Sequence, residues 1–125
     1  MEPLTVVVVD DHGSFRSAAC DLLRRCGLVV VGEAGDGHAA CELVERVRPD
    51  LLILDVRLPD LDGFEVTRRL TRSSWRPRIV LVSTREAIDF GHRVEESGAD
   101  GFITKSRLSG ATLQAILRDA SEVRR

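Results

Sequence analysis

Residues 6–15, VVVVDDHGSF, decide the fold, because four consecutive valines run directly into two carboxylates. A run of β-branched apolar residues is typical of a strand that helices cover on both faces. The strand ends where Asp10 and Asp11 begin, and adjacent like charges beside an apolar segment disfavour the ionised form of each carboxyl group. A compensating group is therefore expected near this strand end, and the rest of the chain has to supply it.

The bulk composition describes one globular domain, residues 1–125, with 43% hydrophobic residues, 30% charged residues and a net charge of −2. The charge argues against a nucleic-acid partner, and 4% aromatic residues argue against a base-stacking platform. No apolar run is long enough for a membrane span and no leader pattern is present, so a cytoplasmic location without membrane contact is expected. Cys20, Cys26 and Cys41 lack Cys-x-x-Cys spacing, which favours buried reduced thiols over zinc or disulfides.

Short apolar runs alternate with helical patterns along the whole chain. The predicted strands are residues 5–9, 29–32, 51–54, 78–82 and 101–104. The predicted helices cover residues 15–26, 40–47, 64–70, 87–94 and 113–120. This alternation predicts an α/β fold with a doubly wound, five-stranded parallel sheet and right-handed crossovers.

Three of the helices carry particular expectations. The third begins with Asp62-x-x-Glu65, which resembles a capping box. The fourth is marginal because Gly91 lowers helix stability. The fifth runs into residues 122–125 without a Pro or Gly stop, which leaves open that the natural chain continues.

Polar side chains follow four of the five predicted strands. Asp10 and Asp11 follow the first strand, Asp55 the third and Lys105 the fifth. Ser83 and Thr84 follow the fourth strand. In an open parallel sheet, ligands bind beyond the carboxyl ends of the strands, where the strand order reverses. If strands one, three, four and five are neighbours, these side chains converge on one edge.

Three carboxylates within a few ångströms raise one another's pKa unless a cation lies among them. Dense oxygen ligands in a shallow site suit Mg²⁺ better than Ca²⁺. With Lys105 as a positive charge and Ser83 as a hydroxyl donor, the groups needed for phosphoryl acceptance on Asp55 are present. The carboxylate pair after the first strand is therefore predicted to hold a metal ion.

Each of these residues alone also fits an ordinary role. Asp10 and Asp11 could cap the first helix, and Lys105 could be a surface lysine. The coincidence of four strand ends with compatible chemistry favours the site over these roles. His12 is expected to be a solvated loop residue, with metal binding as the lesser alternative. Solvated helix faces are predicted for Arg24, Arg25, Arg68, Arg69 and Arg72, and packing roles for Trp75 and Phe102.

Four segments together resemble the receiver domain of two-component response regulators over essentially the whole chain. They are VVVVDDH, DLLILDVRLPDLDGFE, VLVST and GADGFITK. Their details look most like receivers of the NarL/LuxR type. The resemblance implies a flavodoxin-like receiver fold with strand order 2-1-3-4-5. It also implies that a helix-turn-helix output domain lies beyond this chain.

The resemblance assigns roles around the predicted site. Asp55 would be the phosphoacceptor, taking its phosphoryl group from a sensor histidine kinase. Asp11, Asp55 and the backbone carbonyl of Arg57 would bind Mg²⁺, with Asp10 acting largely through water. The chain would be a phosphoacceptor rather than an enzyme. Phosphorylation would favour a homodimer, and DNA would be contacted only through the output domain.

The resemblance also implies a switch. Lys105 would pair with the phosphoryl oxygens, Ser83 would move toward them, and Phe102 would report that movement through its rotamer. The chain departs from the usual pattern in having Ser106 where many receivers have Pro, and Phe102 where a Tyr is common. Thr84 stands where a small Ala is frequent and would narrow access for small phosphodonors.

Three other functions are weaker readings of the sequence. A Mg²⁺-dependent phosphohydrolase of the haloacid dehalogenase type requires a second Asp as acid/base two residues after the nucleophile, and this chain has Arg57 at that position. A nucleotide or flavin module would need a GxGxxG loop after the first strand, which the chain lacks. A receiver that signals without phosphate is disfavoured by the complete acidic site.

Overall fold

The computed structural model describes residues 3–123, with side-chain surroundings up to residue 118. Within residues 3–123 the chain forms five strands, five α-helices and two short 3₁₀ turns, Ala87–Phe90 and Lys105–Arg107. The strands are β1 Thr5–Val9, β2 Val29–Ala34, β3 Leu51–Asp55, β4 Arg78–Ser83 and β5 Gly101–Thr104. The helices are α1 Gly13–Arg25, α2 Gly37–Val47, α3 Gly63–Thr71, α4 Arg93–Glu96 and α5 Gly110–Val123. Residues 124–125, into which the last helix was expected to run, lie outside the described residues.

The five strands form one parallel sheet in the order β2-β1-β3-β4-β5, which confirms the predicted architecture. Val9 is paired with Leu54, so β1 and β3 end at nearly the same level. Ser83 at the end of β4 is paired with Thr104 at the end of β5. The register therefore brings the carboxyl ends of four neighbouring strands to one edge, with Asp10 and Lys105 one residue beyond β1 and β5.

The sheet divides the core into two layers. Alternate residues of β1 and β3 pack on α2 and α3 on one face, and the remaining ones pack on α1 and α5 on the other. Residues 6–9 are fully buried, as expected for a strand covered on both sides. The edge strand β2 departs from this expectation: its burial alternates, and Val29 is 44% exposed. The buried central strands give the site a rigid base.

The fourth predicted helix, residues 87–94, is wrong as a continuous element. The chain forms the 3₁₀ turn Ala87–Phe90, and α4 contains only Arg93–Glu96. Gly91 separates the two with a φ of 60°, a left-handed conformation that interrupts a right-handed helix. The same glycine that weakened the helix pattern therefore ends the turn.

Two smaller expectations are met in part. The side chain of Asp62 accepts the Glu65 N–H at 2.9 Å, but Glu65 pairs with Arg68 and Arg69 and the capping box is only half formed. All three cysteines are free thiols; Cys20 is buried, whereas Cys26 and Cys41 are half-buried. Burial raises the pKa of the Cys20 and Cys41 thiols. The five arginines predicted on solvated helix faces are exposed.

Gly63 fixes how closely α3 approaches the strand end that carries Asp55. Its N–H donates to the carbonyl oxygen of Val56 at 2.7 Å. A Cβ at this position would lie 2.6 Å from the backbone oxygen of Asp55 and 2.9 Å from the Cα of Val56. Both neighbours are backbone atoms of the site, so they cannot move aside without shifting Asp55.

We expect Gly63→Ala to lower the free energy of unfolding by about 3 kcal/mol, because the added methyl group overlaps backbone atoms. Urea unfolding followed by far-ultraviolet circular dichroism measures the change. Gly13→Ala is the control, since a Cβ there would meet only an Arg16 side-chain nitrogen at 3.9 Å. Equal stability of the two variants would contradict the tight packing inferred for Gly63.

Candidate functional site

Three charged side chains from separate strand ends meet at the carboxyl edge of the sheet. The Nζ atom of Lys105 lies 2.6 Å from Oδ2 of Asp10 and 3.3 Å from Oδ2 of Asp55. Asp10 is fully buried and Asp55 is 3% exposed. The predicted convergence of these residues is therefore present, with the ammonium group lying between two buried carboxylates.

The remaining contacts of Asp10 hold it in place but leave one oxygen without a hydrogen bond. Its Oδ1 accepts the N–H of His12 at 2.8 Å. Its carbonyl oxygen accepts from the Arg16 guanidinium at 2.6 Å, and Arg16 in turn pairs with Glu33 at 3.1 Å. The buried Oδ2 has no hydrogen-bond partner among the described residues, so its short contact with Lys105 is an ion pair without hydrogen-bond geometry. A buried carboxylate oxygen in this state can still take a cation.

The ionised form of Asp55 is disfavoured in the folded protein. Burial, and next the negative charge of Asp10, raise the pKa of Asp55 to about 6. Lys105 and the N–H of Arg57, which lies 3.3 Å from Oδ1, oppose this change without cancelling it. The carboxylate therefore lacks part of the positive charge that would stabilise it.

Asp11 and His12 complete a group of possible metal ligands. Asp11 is half-exposed, and the Nδ1 atom of His12 lies 3.0 Å from its Oδ1. Asp10, Asp11, His12 and Asp55 each offer one ligand atom, and these atoms lie within 4.8 Å of one another. Carboxylate oxygens at this density fit a hard divalent cation such as Mg²⁺. Two observations support a cation at this position: Oδ2 of Asp10 has no hydrogen-bond partner among the described residues, and the pKa of Asp55 is raised.

A cavity of about 170 Å³ opens beside Asp55. Its lining consists of His12, Asp55, Val56, Arg57, Ser83, Thr84, Arg85, Phe90 and Lys105. Ser83 is 5% exposed, and its Oγ accepts the N–H of Arg85 at 3.1 Å. The cavity is large enough for a phosphoryl group, and Asp55 reaches solvent through it. Thr84 also lines this cavity and is exposed.

Phe102 is the first of three aromatic rings in a row. Its ring centroid lies 5.9 Å from that of Phe90, which lies 5.5 Å from that of Phe64 on α3. The guanidinium carbon of Arg93 lies 4.4 Å from the centroid of the Phe64 ring, and the guanidinium pairs with Asp62 at 2.8 Å. Phe102 is thus a packing residue, as predicted, and its ring is connected through Phe90 to the site cavity. The sequence pattern did not distinguish Phe90, because residue 90 falls in the weak fourth helix.

Asp60 holds the loop between β3 and α3, another role with no motif in the sequence. Its carboxylate accepts the N–H groups of Gly37 and Leu61 at 2.7 Å and of His38 at 2.9 Å. Burial acts to raise the pKa of Asp60, but these N–H donors outweigh it and hold that pKa well below its usual range. The loop that contains Arg57 is therefore attached to the start of α2.

Comparisons with known proteins agree with this geometry. The family model for the response regulator receiver domain matches residues 6–118. The chain is 36% identical over 114 residues to the response regulator GacA of Pseudomonas aeruginosa, covering 90% of this chain and 53% of that protein. A NarL transcriptional regulatory protein of Mycobacterium tuberculosis is 36% identical over 117 residues, covering 93% of this chain and 54% of that protein.

Two solved structures share the fold. The signal receiver domain of a NarL response regulator from Mycobacterium tuberculosis superposes with a TM-score of 0.88 at 34% identity, covering 97% of this chain and 98% of that chain. A LuxR-family two-component response regulator from Aurantimonas gives a TM-score of 0.85 at 31% identity, covering 97% and 87%.

The chain belongs to the response regulator receiver domain family, and its relatives are response regulators of the NarL and GacA kind. It spans about half the length of the curated relatives that it matches. Across the described residues, no helix has both the length and the apolar character needed to cross a bilayer.

We expect Asp55→Asn to raise the free energy of unfolding by about 2 kcal/mol at pH 7.5 in the presence of a chelator. The folded-state pKa of about 6 exceeds the ordinary value of 3.8. Protonated Asp55 therefore stabilises the folded parent fully below pH 3.8, and this stabilisation is lost as the pH rises through about 6. Urea unfolding from pH 4 to 8 should show the parent falling relative to the variant; parallel curves would contradict the strained carboxylate.

Proposed function

We propose that the chain is a phosphorylation-dependent signalling domain in which Asp55 accepts a phosphoryl group from a sensor histidine kinase. The observation that carries this proposal is the placement of Asp55 itself. Its carboxylate is held by buried strand β3, lies 3.3 Å from Lys105 and opens into a cavity beside Asp10 and Asp11. A carboxylate nucleophile with an ammonium group and neighbouring metal ligands is the arrangement that phosphoryl acceptance needs.

The phosphoryl step exchanges one bond to phosphorus for another. A carboxylate oxygen of Asp55 forms the new P–O bond while the P–N bond to the kinase histidine breaks, and the imidazole keeps the electron pair of that bond. Lys105 lies 3.3 Å from Asp55 and supplies positive charge beside the developing phosphoryl oxygens. The Ser83 hydroxyl, on the cavity wall, can donate to one of those oxygens.

Mg²⁺ is the proposed cofactor, held by Asp11, Asp55 and the backbone carbonyl of Arg57, with Asp10 acting largely through water. When bound, the ion neutralises charge on the transferring phosphoryl group. Asp11, the most exposed of the three carboxylates, is accessible to an incoming hydrated ion. Asp10 and Lys105 form a buried ion pair and neutralise each other's charge. Asp11 and Asp55 are therefore left to bind the ion.

The domain is proposed to act within a longer response regulator. The curated relatives are about twice as long as this chain, and a LuxR-type helix-turn-helix domain beyond residue 125 would supply DNA binding. Phosphorylation would then favour a homodimer through the switch formed by Ser83 and Phe102. In this proposal the chain is a cytoplasmic phosphoacceptor and not an enzyme with a separate substrate.

Incubation with Mg²⁺ and acetyl phosphate should add one phosphoryl group to the parent, detected by intact mass as an acid-stable, base-labile adduct. Asp55→Asn should show no adduct. Asp21→Asn, which changes an exposed carboxylate on α1, should behave like the parent. Steady turnover of a phosphoester would indicate a phosphohydrolase instead, and the absence of any adduct would indicate a receiver that works without phosphate.

We expect Lys105→Ala still to be phosphorylated but not to change conformation, because the charge that draws β5 toward the phosphoryl group is gone. Amide hydrogen exchange of β4 and β5, measured before and after phosphorylation, reports the change. Arg107→Ala is the control, since the Arg107 side chain is exposed and forms an ion pair with Glu86 at 3.5 Å, away from Asp55. A parent-like response in Lys105→Ala would disprove the role given to Lys105.

A further inference from the structure

His12 has a position that the proposed phosphoryl chemistry does not use. Its side chain is 70% exposed, as expected for a solvated loop residue. Its Nδ1 atom nevertheless lies 3.0 Å from Oδ1 of Asp11 and 3.4 Å from Oδ1 of Asp10. The imidazole is therefore turned toward the carboxylates while its opposite edge faces solvent.

The backbone holds His12 in this orientation. His12 is the N-cap residue of α1, with an extended conformation at φ −93° and ψ 107°. Its N–H donates to the buried carboxylate of Asp10 at 2.8 Å, which fixes the residue relative to the site. Its side chain makes no capping hydrogen bond to α1, so the ring is not required for the helix.

We propose that His12 supplies a nitrogen ligand to the metal site and thereby shifts its selectivity from Mg²⁺ toward borderline transition-metal ions such as Co²⁺. This inference rests on the metal site of the proposed function. It also uses the observation that ligand atoms of His12 and the three aspartates lie within 4.8 Å of one another. The fully buried Oδ2 of Asp10 lies in the same cluster, and although the Lys105 ammonium is 2.6 Å away, it has no hydrogen-bond partner among the described residues.

The selectivity follows from ligand chemistry. Mg²⁺ binds hard oxygen ligands and retains several waters, so loss of a nearby imidazole removes little of its binding. Borderline divalent ions bind imidazole nitrogen well. A site in which one imidazole joins the carboxylate ligands should therefore bind Co²⁺ more tightly than a carboxylate-only site, while Mg²⁺ affinity differs little between the two.

Titration of the chain, prepared without a polyhistidine tag, tests this inference. We expect His12→Gln to weaken Co²⁺ binding, followed by the visible absorption of the bound ion, by about tenfold. Mg²⁺ binding, measured by isothermal calorimetry, should change by less than about twofold. His38→Gln is the matched control: His38 also lies beside a carboxylate, 3.8 Å from Asp60, and is exposed, but is not part of the ligand cluster.

Pulsed electron paramagnetic resonance of bound Mn²⁺ supplies a readout that is independent of activity. The parent and His38→Gln should show hyperfine coupling to a directly bound ¹⁴N nucleus, and His12→Gln should not. Absence of this coupling in the parent, or equal changes in Co²⁺ and Mg²⁺ affinity in His12→Gln, would overturn the assignment of His12 alone. Unchanged binding of both ions in Asp11→Asn would instead refute the metal site itself, and with it the Mg²⁺ dependence of the proposed function.

Discussion

The ion pair of Lys105 with Asp10 and Asp55 is the interaction on which the site depends. Two carboxylates buried at neighbouring strand ends would repel each other strongly, and the ammonium group at 2.6 and 3.3 Å from them makes their burial tolerable. The compensation is incomplete, because the pKa of Asp55 remains raised to about 6 and Oδ2 of Asp10 has no hydrogen bond from any described residue. The fold thus keeps a local deficit of positive charge where a divalent cation and a phosphoryl group can be bound.

The surroundings of this ion pair are held from several directions. Arg16 binds the carbonyl oxygen of Asp10, Gly63 allows α3 to approach the backbone of Asp55, and Asp60 ties the following loop to α2. These contacts keep the acidic residues in place while the opposite wall of the cavity is formed by a looser segment. That segment, the 3₁₀ turn that contains Phe90 and the short α4 after it, holds no buried residue. Conformational change is therefore expected in this segment rather than at the strand ends.

Much of the fold and of the candidate site could be predicted from the sequence. The strands were predicted because central strands of a parallel sheet are buried on both faces, which leaves continuous apolar runs such as residues 6–9 and 51–54. The aspartates and Lys105 could be identified because each directly follows such a run. The division of the fourth helix into a 3₁₀ turn and the short α4 could not be predicted, because the pattern does not show how Phe90 packs against Phe64 and Phe102.

The sequence by itself determined the five alternating units, the sheet and the residues at its strand ends, because these depend on periodicity and on local chain order. Only the tertiary structure decided which of those residues touch. It placed Lys105 between two carboxylates that are far from it in sequence, turned His12 toward the aspartates and attached Asp60 to α2. Such contacts depend on the register between strands and on the directions of side chains from different elements. The residue order within a single element does not determine either.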